Sequence, residues 1–416
     1  MRTPLILGFG LLAACTGIVG NNGGDDDNMP PPPPPTTDVR IVVHDGVTAQ
    51  PGVQVIFANA DDSVVADTMT GADGSATAQL PNGGNLTVIR TYAPLKPGDP
   101  PRPAEVFSYV GVKAGDVLEL GKEIDELATP AAINVILPTA TGQADIITQC
   151  GRGQGAAPNV PITVKGCASM VDFYVTDQNQ TSFYKRVPYG SNADLSGEQL
   201  QEALGATITA THTDPAITIN AEIRIVAGNY QLASSGVQRI DQTPANVNLP
   251  NVMGLDQLVV AAIATQAGGT QMVATRSAYV ASPVTVDGAA GILPYVATPI
   301  YTPTGVTWTE TGPGTADYVI TALTVTDPAN PTNPGYTWTV VAPHTGLSLT
   351  LPVLQGAAAT YNPTATEQIV GTHGIASVSG GYDVARTHAF TVHSVIQLAP
   401  IGGSATLSYA GTPPTR

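Results

Sequence analysis

An all-β fold of tandem β-sandwich domains, set behind a disordered Gly/Asp/Pro-rich tether, is predicted by three observations. Charged residues make up only 12% and aromatic residues 5% of the 416-residue chain, an unusually low share for a helical protein. Glycine (44) and proline (36) recur between short runs rich in Val, Thr and Ala. Those runs alternate apolar and polar residues over roughly four to eight positions, the period of a half-buried strand. The formal net charge of −16, with no basic patch, repels nucleic acid and anionic headgroups, so no nucleic-acid partner is expected.

The first element is an export signal over residues 1–14. One positive charge at Arg2 precedes the apolar run Leu5 to Leu12, and the small residues Ala13 and Ala14 precede Cys15. The run is far shorter than the roughly 20 residues that a spanning helix needs, which favours cleavage over permanent insertion. Leu12-Ala13-Ala14-Cys15 resembles the lipobox of bacterial lipoproteins. That resemblance implies cleavage before Cys15, acylation of its thiol and new amino group, and a lipid bilayer as the first partner. The alternative is an ordinary secretory signal followed by a chance cysteine. Thr16, rather than Asp, after the cysteine implies by the same resemblance the outer membrane or cell surface.

Residues 15–37 follow as a tether. Asn21 to Asp27 is Gly, Asn and Asp throughout, and Pro30 to Pro35 is an unbroken proline run. With almost nothing apolar to bury, this stretch is expected to remain unfolded, its prolines extended as polyproline II at about 3.1 Å per residue. Asp25-Asp26-Asp27 has no preorganised cage for calcium and reads as solvated tether.

A first module is expected over 38–125. Strands are predicted at Val39 to Val43, Val53 to Ala58, Val64 to Thr68, Ala76 to Leu80 and Leu86 to Ile89, with turn residues at Gly46, Pro51-Gly52 and Thr70 to Gly74 between them. Pro51-Gly52-Val53-Gln54-Val55 and Thr70-Gly71-Ala72-Asp73-Gly74 resemble the recurring frame of the carboxypeptidase regulatory-like domain, a prealbumin-like β-sandwich. Here Val47 to Gln50 replaces the family's glycine-proline lead-in. The resemblance implies a module for display or binding, without catalytic residues of its own.

A second β-sandwich region is expected over 130–290. Its strands are predicted at Ile133 to Leu137, Met170 to Val175, Ile217 to Ile219, Glu222 to Ile225 and Leu258 to Ile263. Of the three cysteines, Cys150 and Cys167 remain once Cys15 carries lipid, and in an exported, oxidising setting they read as a disulfide. Closing a loop of that size is worth about 3 kcal/mol in the chain-entropy model. A metal site would need two more ligands nearby, and a nucleophilic cysteine a neighbouring histidine; neither is present locally. Gly151 to Pro158 reads as a glycine-rich loop between the cysteines, with Ile162 to Val164 a returning strand. Ser196 to Leu204 carries a capping-box spelling and ends at Gly205, which predicts a helix.

A last module is expected over 292–412, with strands at Val306 to Glu310, Tyr318 to Val325, Tyr336 to Val341 and Leu347 to Leu351, and a hairpin loop at Pro328 to Pro334. Its rhythm resembles fibronectin type III and other immunoglobulin-like folds.

No sequence motif for a metal, a phosphate or a catalytic triad occurs, and no cofactor, metal site or catalytic residue is expected. The six histidines are scattered; a strand predicted through Thr387 to Val395 puts His388 and His393 on opposite faces. Trp308 and Trp338 are candidates for stacking on a sugar ring if exposed, although each shares its strand face with core-type residues. Asp61-Asp62 and Asp73-Gly74 suit calcium or, by default, turns. The function expected is a membrane-anchored surface or periplasmic lipoprotein for adhesion, envelope structure or binding of a protein or polysaccharide, without catalysis. The alternatives are a carbohydrate-binding surface lipoprotein and a hydrolase with an unrecognised site.

Overall fold

The computed structural model describes residues 37–46, 48–94, 96, 98–122, 131–148, 151–164, 170–177, 181–188, 191–198, 201–202, 204–211, 217–227, 230–234, 238–240, 245–249, 256–265, 270–278, 284–287, 293–330, 332–388 and 402–410. Signal, tether, Cys15, Cys150 and Cys167 all lie outside them, so the anchor and the disulfide remain expectations. The described chain is all-β and folds into several sheets.

One long sheet organises the molecule. Its first part is an antiparallel set of Val64–Met69, Gln54–Ala58, Gly84–Arg90 and Ala104–Val112. Strand Tyr336–Pro343 then joins Ala104–Val112 in parallel, and Tyr318–Thr326, Gln368–Val378, Ser404–Ala410 and Thr270–Ala278 follow antiparallel. Asp256–Thr265 and Ile217–Ala227 extend it further. The sheet thus draws strands from all three expected modules and crosses both expected boundaries.

Its central strands are covered on both faces, so they read as apolar runs rather than strict alternation; Gly84–Arg90 is buried at every position but the last. On one face Val55, Phe57, Leu86, Val88, Tyr109 and Val341 pack beneath Val39, Ile41 and Val43. Those three belong to a smaller sheet in which Asp38–Gly46 pairs with Ser75–Gln79 and, in parallel, with Val117–Lys122. On the opposite face Ile56, Ile89, Val106, Trp338 and Val340 pack against Val296, Val306 and Trp308. That layer is the sheet of Tyr295–Thr302, Gly305–Thr311 and Ser348–Thr350. A third core lies between Ala131–Ile136 with Asn159–Val164 and the sheet of Gln143–Thr148 and Met170–Asp177.

Three local expectations are corrected. Gly151 to Ala156 is a strand, not a loop: it pairs with Gln143–Thr148, and its alternate glycines face Asn159–Val164 of the neighbouring sheet. A Cβ at Gly153 would overlap the Ile162 side chain, so the glycines are there to let two backbones approach. The helix predicted over Ser196 to Leu204 does not form among the described residues of that span. Ser196 instead satisfies an Asx turn on Asp194, and Gln201–Glu202 and Leu204–Thr211 are strands. Thr387 and His388 belong to a short helix, Gly381–His388, rather than opening a strand, and the remainder of that expected strand lies outside the described residues. Ala385 of that helix packs on the first core and Tyr382 donates to the carbonyl of Val110.

Candidate functional site

A groove of about 690 Å³ opens among the described residues. It falls in the range of ordinary ligand pockets. Its walls come from four turns or strand ends: Ala60 and Asp62; Pro81 to Asn85; Val110 to Ala114; and Thr350 to Pro352. Residues of the first and last expected modules therefore meet there.

Asp62 fixes that meeting. It adopts φ +63°, a left-handed conformation that Asp tolerates better than most residues. Its Oδ1 accepts from Asn85 Nδ2 at 2.9 Å, and its Oδ2 accepts the backbone N–H of Val353 at 3.0 Å. Gln355 Nε2 donates to its carbonyl at 2.8 Å. Asn85, buried in the wall, uses its own Oδ1 to accept from Gly111 N. Lys113 at the rim pairs with Asp383 at 2.7 Å. These polar groups are committed to one another, so the groove offers a stiff shape rather than a set of free charges.

A second polar cluster forms between layers. Glu310 Oε1 accepts from Trp308 Nε1 at 2.6 Å and lies 2.7 Å from His344 Nε2. Trp308 stacks on His373 with ring centroids 4.1 Å apart. His373 Nδ1 shares a hydrogen with Thr321 Oγ1 at 2.8 Å, while its Nε2 is buried without a partner. Burial, with His344 nearby, pushes the His373 pKa down to about 3. The ring is therefore neutral at ordinary pH and belongs to the core. The Glu310–His344 pair has the form of a base with its orienting carboxylate. No hydroxyl or thiol is hydrogen-bonded to His344 among the described residues.

Sequence reading treated the histidines as scattered, and strand order brings His344 and His373 to the same indole. The one local signal was the same-face spacing of Trp308 and Glu310. His388 ends the helix, and His212 and His393 lie outside the described residues. Trp308 and Trp338 are both buried, at 4% and 0% exposure, which removes them as stacking platforms and leaves the core reading. The Asp turns are equally plain. Asp61 and Asp73 each accept from the backbone N–H and hydroxyl of the serine two residues on, as Asp194 does. Those bonds hold all three carboxyls below the usual range. No group of three or more candidate ligands for a metal forms among the described residues. No described helix is long and apolar enough to cross a membrane.

No family model matches the chain, and no curated protein does. Among solved structures it is similar to the Bacillus anthracis TIE protein at 13% identity, over 60% of this chain and 50% of that one, with a TM-score of 0.15. The chain thus spans half the length of that structure. Native E. coli alpha-2-macroglobulin gives 8% identity over 88% and 27%, with a TM-score of 0.11. The Bacteroides ovatus mixed-linkage glucan utilization locus protein SGBP-B, in complex with a mixed-linkage heptasaccharide, gives 11% over 88% and 93%, also at 0.11. Scores this low carry neither fold nor function across.

Proposed function

We propose that the protein is an exported, non-catalytic binding protein, anchored through an acylated Cys15 and held off its membrane by the Pro30 to Pro35 spacer. Its partner, a protein or a polysaccharide, docks in the groove between the turns at Asp62, Asn82, Lys113 and Leu351. The observation that carries this reading is the groove's construction: about 690 Å³ of concave surface whose walls are cross-braced by Asp62. Preorganised shape reduces the ordering cost of binding, which suits recognition of a large partner. The polar side chains around it serve the walls rather than a reaction.

Two measurements test it. Mass spectrometry of the mature N-terminal peptide from native membranes should find acylated Cys15 as the first residue, and a Cys15→Ala variant should be released; an unmodified thiol inside a longer peptide overturns the anchor. Cells carrying the wild type should bind features on glycan and extracellular-protein arrays that an Asn82→Trp variant, which fills the groove, does not bind. Identical array patterns from both would remove the groove from the function.

A further inference from the structure

One wall of the groove carries a reactive dipeptide. Leu80-Pro81-Asn82-Gly83 is a turn closed by the Gly83 N–H, which donates to the Leu80 carbonyl at 3.0 Å, with proline where its fixed φ suits the turn. Glycine is required at 83: it adopts φ +72°, and a Cβ there would overlap the carbonyl oxygen of Val112. No side chain therefore shields the peptide nitrogen that follows Asn82.

Asn82 is exposed, and its amide makes no hydrogen bond among the described residues. The nearby asparagines are held. Asn85 is buried, donates to Asp62 Oδ1 at 2.9 Å, accepts from Gly111 N, and is followed by leucine. Asn59 donates to Ser63 Oγ at 2.9 Å and is followed by alanine. Among the described residues Asn82 is the one asparagine followed by glycine.

That arrangement permits a reaction that needs only water. The Gly83 nitrogen gives up its proton and attacks Cγ of Asn82; the new N–Cγ bond closes a succinimide, and the Cγ–Nδ2 bond breaks to release ammonia. Water then opens the ring. Cleavage of the N–Cγ bond gives aspartate, and cleavage of the bond from Gly83 N to the Asn82 main-chain carbonyl carbon gives isoaspartate. The turn bond to Leu80 must open first, and exposed turns open at the lowest cost in a fold.

We propose that Asn82 is a site of spontaneous deamidation, and that the reaction remodels the groove. Aspartate adds a negative charge to the wall. Isoaspartate lengthens the main chain by one carbon just before Gly84, which pairs with Val112 so closely packed that a Cβ would overlap the Ala58 carbonyl. The effect on binding rests on the groove reading above; the chemistry does not.

Peptide mapping by mass spectrometry, with fragmentation that separates aspartate from isoaspartate, tests the chemistry on the full chain aged in warm, mildly alkaline buffer. The peptide holding Asn82 should gain the mass difference between an acid and an amide, as both isomers, while Asn59 and Asn85 stay amides. A urea-unfolded sample sets the time scale. If Asn82 is still an amide in the folded chain when most of it has converted in the unfolded one, the proposal is overturned. Fresh and aged protein are then compared on the arrays beside Asn82→Gln, whose longer side chain closes its ring far more slowly. Aged wild type should lose the features that aged Asn82→Gln keeps. Conversion without that loss, where Asn82→Trp abolishes binding, overturns the effect on the groove. Conversion where Asn82→Trp binds normally upholds the chemistry and removes the groove reading instead.

Discussion

Trp338 donates its indole N–H to the hydroxyl of Ser108 at 2.9 Å, across 230 positions of sequence. The same hydroxyl shares a hydrogen with Thr87 Oγ1 at 2.8 Å. Both partners lie in strands next to each other in the long sheet, and neither Ser108 nor Trp338 is exposed. A buried hydroxyl therefore ties a strand of the first expected module to one that arrives much later.

Ser108→Ala should lower stability by about 1–3 kcal/mol, because the indole N–H and the Thr87 hydroxyl lose a partner that water cannot replace. The protein has only two tryptophans, Trp308 and Trp338, and both sit in the same core. Urea unfolding followed by intrinsic fluorescence reports that core directly. In the Thr87→Val, Ser108→Ala double variant, the cost should be less than the sum of the single variants, since the two share one network.

Asp62→Ala should loosen the groove rather than the whole fold. It removes the acceptors of Asn85 and Val353 and places a Cβ-bearing residue with no stabilising side chain at φ +63°. Hydrogen exchange should rise at Val353 to Gln355 and around Asn85, while the Met170–Asp177 strand stays as protected as in the wild type. Equal protection throughout would mean that the groove walls hold without this carboxylate.

Acid should weaken the fold through His373. Its folded pKa, about 3, lies below its unfolded value of 6.5. Between those values the unfolded chain binds more protons, so stability rises with pH there. The contribution is complete above about pH 6.5 and is lost as pH falls toward 3, by at most about 1.4 kcal/mol per pH unit. His373→Phe keeps a ring against Trp308 and cannot titrate. Its denaturation midpoint should fall less steeply than the wild type's between pH 6.5 and 4, even though it starts lower for want of the Thr321 bond. Parallel pH profiles would remove His373 from the acid response.

Gly153→Ala should cost about 1–3 kcal/mol, because the added Cβ meets Ile162 in a gap that has no room for it. Gly197→Ala, at a turn with open space around the glycine, should be near neutral. Denaturant midpoints of the two variants make the comparison.

Much of the fold was legible in local pattern. Tyr318 to Val325 alternates as a strand should, and it is one: Thr321, Leu323 and Val325 are buried between half-buried or exposed neighbours. Where local signals misled, a competing use of the same residues explains it. Ser196 carries a helix-capping spelling, but its hydroxyl and N–H go back to Asp194. Gly151, Gly153 and Gly155 look like loop residues, yet their spacing of two is a strand's, and each faces a bulky residue of the next sheet. The seam groove and the Trp308 cluster were invisible for a different reason. They depend on which strands lie side by side, and nothing in Ala104 to Val112 announces a parallel partner more than two hundred residues away.

That parallel pairing also dictates an order of events. As the chain is synthesised, the strand Ala104–Val112 is made long before Tyr336–Pro343, and until then its hydrogen-bonding edge is open. Such an edge invites pairing with any other extended chain. The protein's slowest folding step should thus be the return of its C-terminal strands to that edge, because closing so long a loop is entropically costly. A chain cut short before residue 336 would lose Val341, Ala376 and Leu407 from its first core and still present a sticky border, which makes premature truncation a more dangerous lesion for the cell than most single substitutions.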